Sequence, residues 1–125
     1  MRVDPFILYE PAQLTSNVVF ATPHSGRNYS QAFLDRTILD ANAIRASEDA
    51  FVDRLFQSVT AVGAPLLAAL VPRAFVDLNR SCEELDPALI DGLRSSALSA
   101  RVISGLGVVP RVVAIGKPIY NGKIS

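Results

Sequence analysis

The sequence has little of several features that mark whole classes of protein. It contains one cysteine, Cys82, and one histidine, His24, in 125 residues. A lone cysteine cannot form an internal disulfide, which favours a reducing compartment, and without an identifiable base it is rarely a nucleophile. Twelve basic residues balance twelve acidic ones with no basic block. This balance disfavours a nucleic-acid partner.

Long hydrophobic runs are also missing. The apolar stretches at 64–72 and 102–116 are shorter than the roughly 20 residues that span a bilayer. The first residues lack the pattern of a secretory signal. Half of the residues are hydrophobic, which is typical of a folded protein. The sequence therefore predicts one cytoplasmic domain, residues 1–125, that neither enters a membrane nor binds nucleic acid.

Strand and helix patterns alternate in the first half. The segment Asn17–Pro23 is β-branched and aromatic and ends at proline, so it predicts a buried strand with His24 just beyond its carboxyl end. A helix is predicted over Glu48–Val62, with Ser47 as its N-cap and Gly63 as its stop. Its apolar stripe consists of Val52, Leu55, Phe56 and Val59.

The second half is more ambiguous. Pro65–Arg80 predicts two short strands or one bent strand, and residues 84–102 combine a turn at Asp86-Pro87 with a weak helical pattern. The last residues predict strand structure and a hairpin turn at Asn121-Gly122. Together the elements indicate an α/β domain, in which ligands bind beyond the carboxyl ends of strands.

His24, Glu48 and Asp49 form one candidate constellation. Imidazole and carboxylate are zinc ligands, and on helical geometry Glu48 projects near the middle of the apolar stripe and Asp49 near its edge. The alternative is ordinary: the histidine hydrogen-bonds a neighbouring carbonyl, and the acids complement the first turn of a helix.

The segment Arg73–Arg80 is a second candidate. Asn79 and Arg80 could hold a substrate carboxylate, and Arg73 could reach the same cleft and polarise a carbonyl. The alternative is that Asp77 and Arg80 form a structural ion pair at a strand end.

Five strings occur in one order along the chain: "TPHSGRNY", "SEDAFVDRLF", "PRAFVDLNR", "ELDP" and "GLGVVPRVVAIGKPIYNGK". Together they resemble the N-formylglutamate amidohydrolase family over nearly the whole chain from about Val18. The resemblance implies a layered α-β-α fold with a mostly parallel or mixed central sheet, of the phosphorylase/hydrolase-like (zinc exopeptidase-like) type shared with zinc carboxypeptidases and the aspartoacylase group.

The resemblance also implies an activity. It is the hydrolysis of N-formyl-L-glutamate, or of a related N-acyl amino acid, to glutamate and formate in histidine degradation. His24 would be a ligand of zinc or another divalent metal, and Asp49, with Glu48 beside it, would be the acidic ligand. Asn79 and Arg80 would anchor the substrate carboxylate, and Arg73 would stabilise the oxyanion.

The family pattern includes a second half that this sequence lacks. Family members are about twice this length and carry a further His-Ser motif and an acidic general base. We therefore expect an amino-terminal portion with little or no activity of its own, an unpaired strand edge and an uncovered apolar face. The oligomeric state is left open. The competing hypothesis is a non-catalytic module that binds an acidic small molecule without a metal.

Overall fold

The computed structural model describes residues 4–94 and 98–125. Within them the helices are short and irregular segments are long. In chain order the elements are β1 (Phe6–Tyr9), β2 (Phe20–Thr22), α1 (Gln31–Leu34), a 3₁₀ helix (Ala43–Arg45), α2 (Val52–Phe56), a second 3₁₀ helix (Gln57–Val62), β3 (Leu66–Ala69), α3 (Ala100–Ile103), β4 (Val112–Ala114) and β5 (Lys117–Pro118).

A three-stranded mixed sheet has the order β1-β3-β2. β1 is antiparallel to β3, and β2 is parallel to it. Because β2 and β3 run in the same direction, the segments that follow them leave the sheet at the same edge. This topology brings the loop that carries His24 next to the turn that precedes Asp77.

The loop after β2 packs unusually closely on the chain that continues from β3. The Asn28 amide donates to the Leu70 carbonyl over 2.9 Å. A Cβ atom on Gly26 would lie 1.8 Å from the Val71 carbonyl oxygen, far inside contact distance. Only glycine fits there, which gives the Ser-Gly pair after His24 a structural reason.

The main hydrophobic core lies away from this sheet. Phe33 of α1 is at its centre, with its ring edge-on to Phe75 at 5.2 Å and to Tyr120 at 6.4 Å between centroids. Its buried members are Phe33, Ile44, Ala74, Leu89, Val113, Ile119 and Tyr120. The core thus joins α1 to the β4–β5 hairpin and fixes the walls of the cavity described below.

One face of the sheet is uncovered in the described chain. By the strand register, Phe6, Leu8 and Leu67 point to the same side, and each is exposed, by 50%, 50% and 37%. On the opposite side Leu66 and Ala68 are buried. No helix among the described residues is both long enough and apolar enough to cross a bilayer.

The strand predictions are confirmed in part. β2 lies inside the predicted strand, and His24 follows it as expected. The predicted burial is wrong, because Val18 and Val19 are exposed and only Thr22 of β2 is buried. The second predicted strand before Arg80 is wrong, because the amides of Phe75 and Val76 both bond to the Pro72 carbonyl and form a turn. Asp77 and Arg80 therefore follow a turn and not a strand.

The predicted turns had different outcomes. The turn at Asp86-Pro87 is present, since the Leu89 and Ile90 amides bond to the Asp86 carbonyl. The hairpin prediction was wrong in its position: β4 and β5 are joined at Ile115-Gly116 and not at Asn121-Gly122, since Gly116 supplies the required positive φ of 72°. The weak helical pattern crosses residues 95–97, which lie outside the described residues.

The predicted helix over Glu48–Val62 starts four residues late. The position before α2 is Phe51, in the left-handed conformation with φ of 63°, so Ser47 is not the N-cap. The Asp49 amide bonds instead to the His24 carbonyl over 2.9 Å. Glu48 and Asp49 consequently lie in an irregular segment, and the helical projection expected for them does not apply.

Candidate active site

His24 lies between two carboxylates. Its Nε2 atom is 2.8 Å from Asp77 Oδ1, and its Nδ1 atom is 3.7 Å from Asp49 Oδ2. The Asp77 side chain is 3% exposed, whereas that of Asp49 is 53% exposed. The imidazole therefore has one buried partner and one that faces solvent.

Asp77 is the hub of this site. Its carboxylate also accepts from Arg73 Nε at 3.2 Å and from the Asn79 amide at 2.9 Å, with Arg80 Nη2 at 3.8 Å. Burial alone would raise the pKa of Asp77. The hydrogen bonds from His24 and the Asn79 amide, and the charges of His24 and Arg80, outweigh burial and hold that pKa below its usual value.

The charge of Asp77 fixes the proton on His24. An ionised carboxylate only accepts hydrogen bonds, so Nε2 must be the donor. In neutral imidazole, Nδ1 then carries a lone pair that faces the Asp49 carboxylate. Nδ1 of His24 and Oδ2 of Asp49 are both electron-rich and lie 3.7 Å apart, so a proton or a cation bound between them stabilises the arrangement.

Glu48 points into a different cluster. Its Oε1 atom accepts from the Tyr29 hydroxyl at 2.9 Å and from Arg45 Nη1 at 3.0 Å. Arg45 also stacks over the Tyr29 ring at 4.3 Å. Burial and the hydrogen bond to Glu48 raise the pKa of Tyr29. Of the two adjacent acids, Asp49 is the one beside His24.

The predicted substrate-binding pair is held by the protein itself. Arg80 donates from Nε to the Leu106 carbonyl at 3.2 Å and from Nη1 to the Asn79 carbonyl at 2.9 Å. Its side chain is only 12% exposed. The contact of Arg80 with Asp77 matches the ion-pair alternative, while substrate binding by Asn79 and Arg80 stays a prediction.

A cavity of about 820 Å³ opens beside these groups. Asp49, Arg73 and Asp77 line it, together with Arg111. Neither Asn79 nor Arg80 belongs to the described lining. The opposite wall is the β4–β5 hairpin and α3.

Sequence reasoning missed Arg111 altogether and weighed Asp77 only as a structural partner of Arg80. Arg111 is anchored by Asp86, whose Oδ2 atom is 2.8 Å from Arg111 Nε, and by the Ile103 carbonyl. A charged residue that interrupts the apolar run 108–115 was the available signal for Arg111. For Asp77 the signal was its position between Arg73 and Arg80 in the sequence.

The described residues hold two metal donors and no complete set. Among residues 4–94 and 98–125, no group of three or more His, Cys, Asp or Glu side chains is arranged to hold a metal ion. His24 Nδ1 and Asp49 Oδ2 are nevertheless a suitable pair, since ligands about 2.1 Å from a tetrahedral zinc ion lie about 3.4 Å apart. The donor types and their spacing fit part of a zinc site.

The sequence profile of the N-formylglutamate amidohydrolase family matches residues 16–125. The chain belongs to that family. Among solved structures it is similar to the N-formylglutamate amidohydrolase of Ralstonia eutropha JMP134, with a TM-score of 0.86 and 33% sequence identity. The similarity covers 98% of this chain and 44% of the Ralstonia chain, so this chain spans less than half the length of that relative. No curated protein sequence matches it.

Membership of the family accounts for the order of the motifs. The mixed α/β fold of the described residues agrees with the similarity to the Ralstonia structure.

Proposed function

We propose that this family member is part of a metal-dependent amidohydrolase that converts N-formyl-L-glutamate, or a related N-acyl amino acid, to glutamate and formate. The observation that carries the proposal is the position of His24 between buried Asp77 and exposed Asp49. Both carboxylates line the cavity, whereas His24 does not belong to its described lining. The family description and the Ralstonia relative support the substrate class.

His24 and Asp49 would hold the metal, and zinc suits an imidazole and a carboxylate, although other divalent ions take the same donors. When bound there, the metal would supply an activated water as nucleophile and would polarise the amide carbonyl. Asp77 would keep the His24 proton on Nε2 and so leave Nδ1 free. This arrangement of carboxylate, histidine and metal is common in metalloenzymes.

Further ligands and the general base would come from the rest of a family-length chain. Support for this proposal is that the described residues hold two donors, and that the matched relative is more than twice as long. We propose accordingly that the 125 residues alone have little or no activity, and that the described sheet is part of a layered α-β-α fold. The complete enzyme would act in histidine degradation in the cytoplasm.

The substrate is expected to bind by its charges. N-formylglutamate carries two carboxylates, and among the described residues Arg73 and Arg111 are the cations that line the cavity. Arg73 keeps its Nε on Asp77, so its Nη atoms would meet the oxyanion or a carboxylate. Arg80 would reach the substrate only after its guanidinium exchanged its present bonds to the Leu106 and Asn79 carbonyls. Asn79 would bind the substrate beside it.

The competing function is a metal-free module that binds an acidic small molecule. The observation that favours it is that both arginines in the cavity wall are held by buried acids, Asp77 and Asp86, and are thus preorganised for an anion without any metal.

Calorimetric titration with N-formylglutamate, with and without zinc, separates the two functions. The amidohydrolase proposal predicts binding that strengthens with zinc, weakens in Arg73→Gln and favours N-formylglutamate over N-formylglutamine. Binding that is equally strong without zinc supports the metal-free module. Rapid formate release by the 125 residues alone would contradict the proposed need for further residues.

A further inference from the structure

We propose that Arg27 is a positioning residue that holds Asp49 against His24. Arg27 lies in the same loop as His24, and Asp53, its partner, lies four residues after Asp49. Neither Arg27 nor Asp53 lines the cavity among the described residues. Any effect of this pair on the site must therefore act through the two segments that it joins.

The connection is bidentate. Arg27 Nη1 is 3.0 Å from Asp53 Oδ1, and Nη2 is 3.1 Å from Oδ2. Nη1 also donates to the Ser25 carbonyl at 3.3 Å, within the histidine loop itself. A planar guanidinium that pairs with Asp53 through both Nη atoms, and with the Ser25 carbonyl through Nη1, fixes the direction as well as the distance between the loop and the first turn of α2.

Arg27 also contacts Phe51, the strained residue between Asp49 and Asp53. Phe51, between Asp49 and Asp53, is the only residue other than glycine with positive φ among the described residues. Its ring lies under the guanidinium of Arg27 at 5.5 Å and that of Arg54 at 5.4 Å. A bulky residue adopts this conformation only where its surroundings impose it.

One backbone hydrogen bond connects the conformation of Phe51 to the site. The left-handed turn at Phe51 directs the preceding residues back toward the histidine loop, where the Asp49 amide donates to the His24 carbonyl over 2.9 Å. If the Arg27 connection is removed, Phe51 can relax to an ordinary conformation. Asp49 then loses both its amide contact and its place beside Nδ1 of His24.

The test is amide hydrogen exchange of the 125-residue protein, measured by NMR in Arg27→Gln and Asp53→Asn. We expect the Asp49 amide to exchange about tenfold faster in both, as for the loss of one charge-assisted hydrogen bond. The Asn28 amide, which bonds to the Leu70 carbonyl, should keep its rate and serves as the internal control. Arg54→Gln is the matched variant, because it removes a cation from the same ring but breaks no connection to the histidine loop, and it should change the Asp49 rate less than twofold.

The reciprocal exchange of Arg27→Asp with Asp53→Arg should restore at least part of the protection at Asp49. Unchanged Asp49 exchange in Arg27→Gln, or an equal acceleration at Asn28, would overturn the proposal. Only the purpose of positioning Asp49, which is metal binding, rests on the proposed function. A protein that binds no zinc but loses Asp49 protection in Arg27→Gln would refute the metal site and leave Arg27 as a positioning residue.

Discussion

His24 Nε2 and Asp77 Oδ1 form a 2.8 Å hydrogen bond between two segments that are 53 residues apart in the sequence. The bond exists because β2 and β3 are parallel neighbours and deliver their following segments to one edge of the sheet. It fixes both the ring orientation and the tautomer of the histidine.

Asp77→Asn keeps an oxygen that can accept from His24 but removes the negative charge shared by Arg73 and Arg80. We expect zinc affinity to fall about 10- to 100-fold, as for other partners of metal-binding histidines. The free energy of unfolding should fall by about 1–3 kcal/mol, because two arginines lose a buried counter-ion. Calorimetry and urea unfolding measure the two effects. Unchanged zinc affinity in a destabilised protein would make Asp77 purely structural.

Gly26→Ala tests the close approach of the histidine loop to β3. The added Cβ would lie 1.8 Å from the Val71 carbonyl oxygen, so the loop must move away from the sheet. We expect the free energy of unfolding to fall by more than about 2 kcal/mol. The clash with the carbonyl causes this loss, and an added methyl group in open space should not. Gly92→Ala is the control, because no atom lies within 4 Å of its added Cβ and only its φ of 77° is unfavourable, which costs about 1 kcal/mol. Equal melting temperatures for the two variants would contradict the proposed packing.

The sequence predicts the His24 side of the site well and the Asp49 side poorly. The strand before His24 has a strong local signal, since β-branched and aromatic residues end at a proline. The apolar spacing from Val52 to Val59 indicates helical structure, but the α-helix covers only Val52–Phe56 and a 3₁₀ helix follows it. The predicted apolar stripe is not buried, since Leu55 is 75% exposed. Propensity does not reveal that Phe51 takes a left-handed conformation, because its ring lies under Arg27, which comes from the distant histidine loop.

The same limit applies to the arginines. The segment Arg73–Arg80 reads as a strand from its alternation, whereas the Pro72 carbonyl turns it and directs Arg73 and Arg80 onto Asp77. Which arginine faces the cavity depends on the β4–β5 hairpin, which is distant in sequence. Arg111 was missed for that reason.

Stability at acidic pH should depend on Asp53. The hydrogen bond from Arg27 holds the pKa of Asp53 below its usual value despite partial burial. A carboxylate whose pKa is lower in the folded state stabilises the protein above its unfolded pKa of about 4, and this contribution is lost as the pH falls through the folded value. Asp53→Asn should therefore be less stable than the parent at pH 7, and the difference should shrink toward pH 3. Urea unfolding at a series of pH values measures it, and a constant difference would contradict the assigned pKa shift.

The uncovered sheet face predicts self-association. Phe6, Leu8 and Leu67 expose apolar area on one side of a sheet, which favours contact with another apolar surface. We expect the protein to form concentration-dependent oligomers in sedimentation experiments, and Leu8→Thr to weaken them. Ile115→Thr, at the fully exposed turn between β4 and β5, removes apolar area away from the sheet and is the control. Association that responds only to the Ile115 variant would exclude the sheet face as the contact.

The pairing of His24 with Asp49 as metal donors is tested most directly by calorimetric titration with zinc. The parent should bind close to one equivalent, and His24→Ala should abolish binding. Asp49→Asn should weaken it strongly, whereas Glu48→Gln should leave it nearly unchanged, because Glu48 is turned toward Tyr29 and Arg45. Binding that survives both His24→Ala and Asp49→Asn, or that is lost in Glu48→Gln alone, would contradict the metal site described for this edge of the sheet.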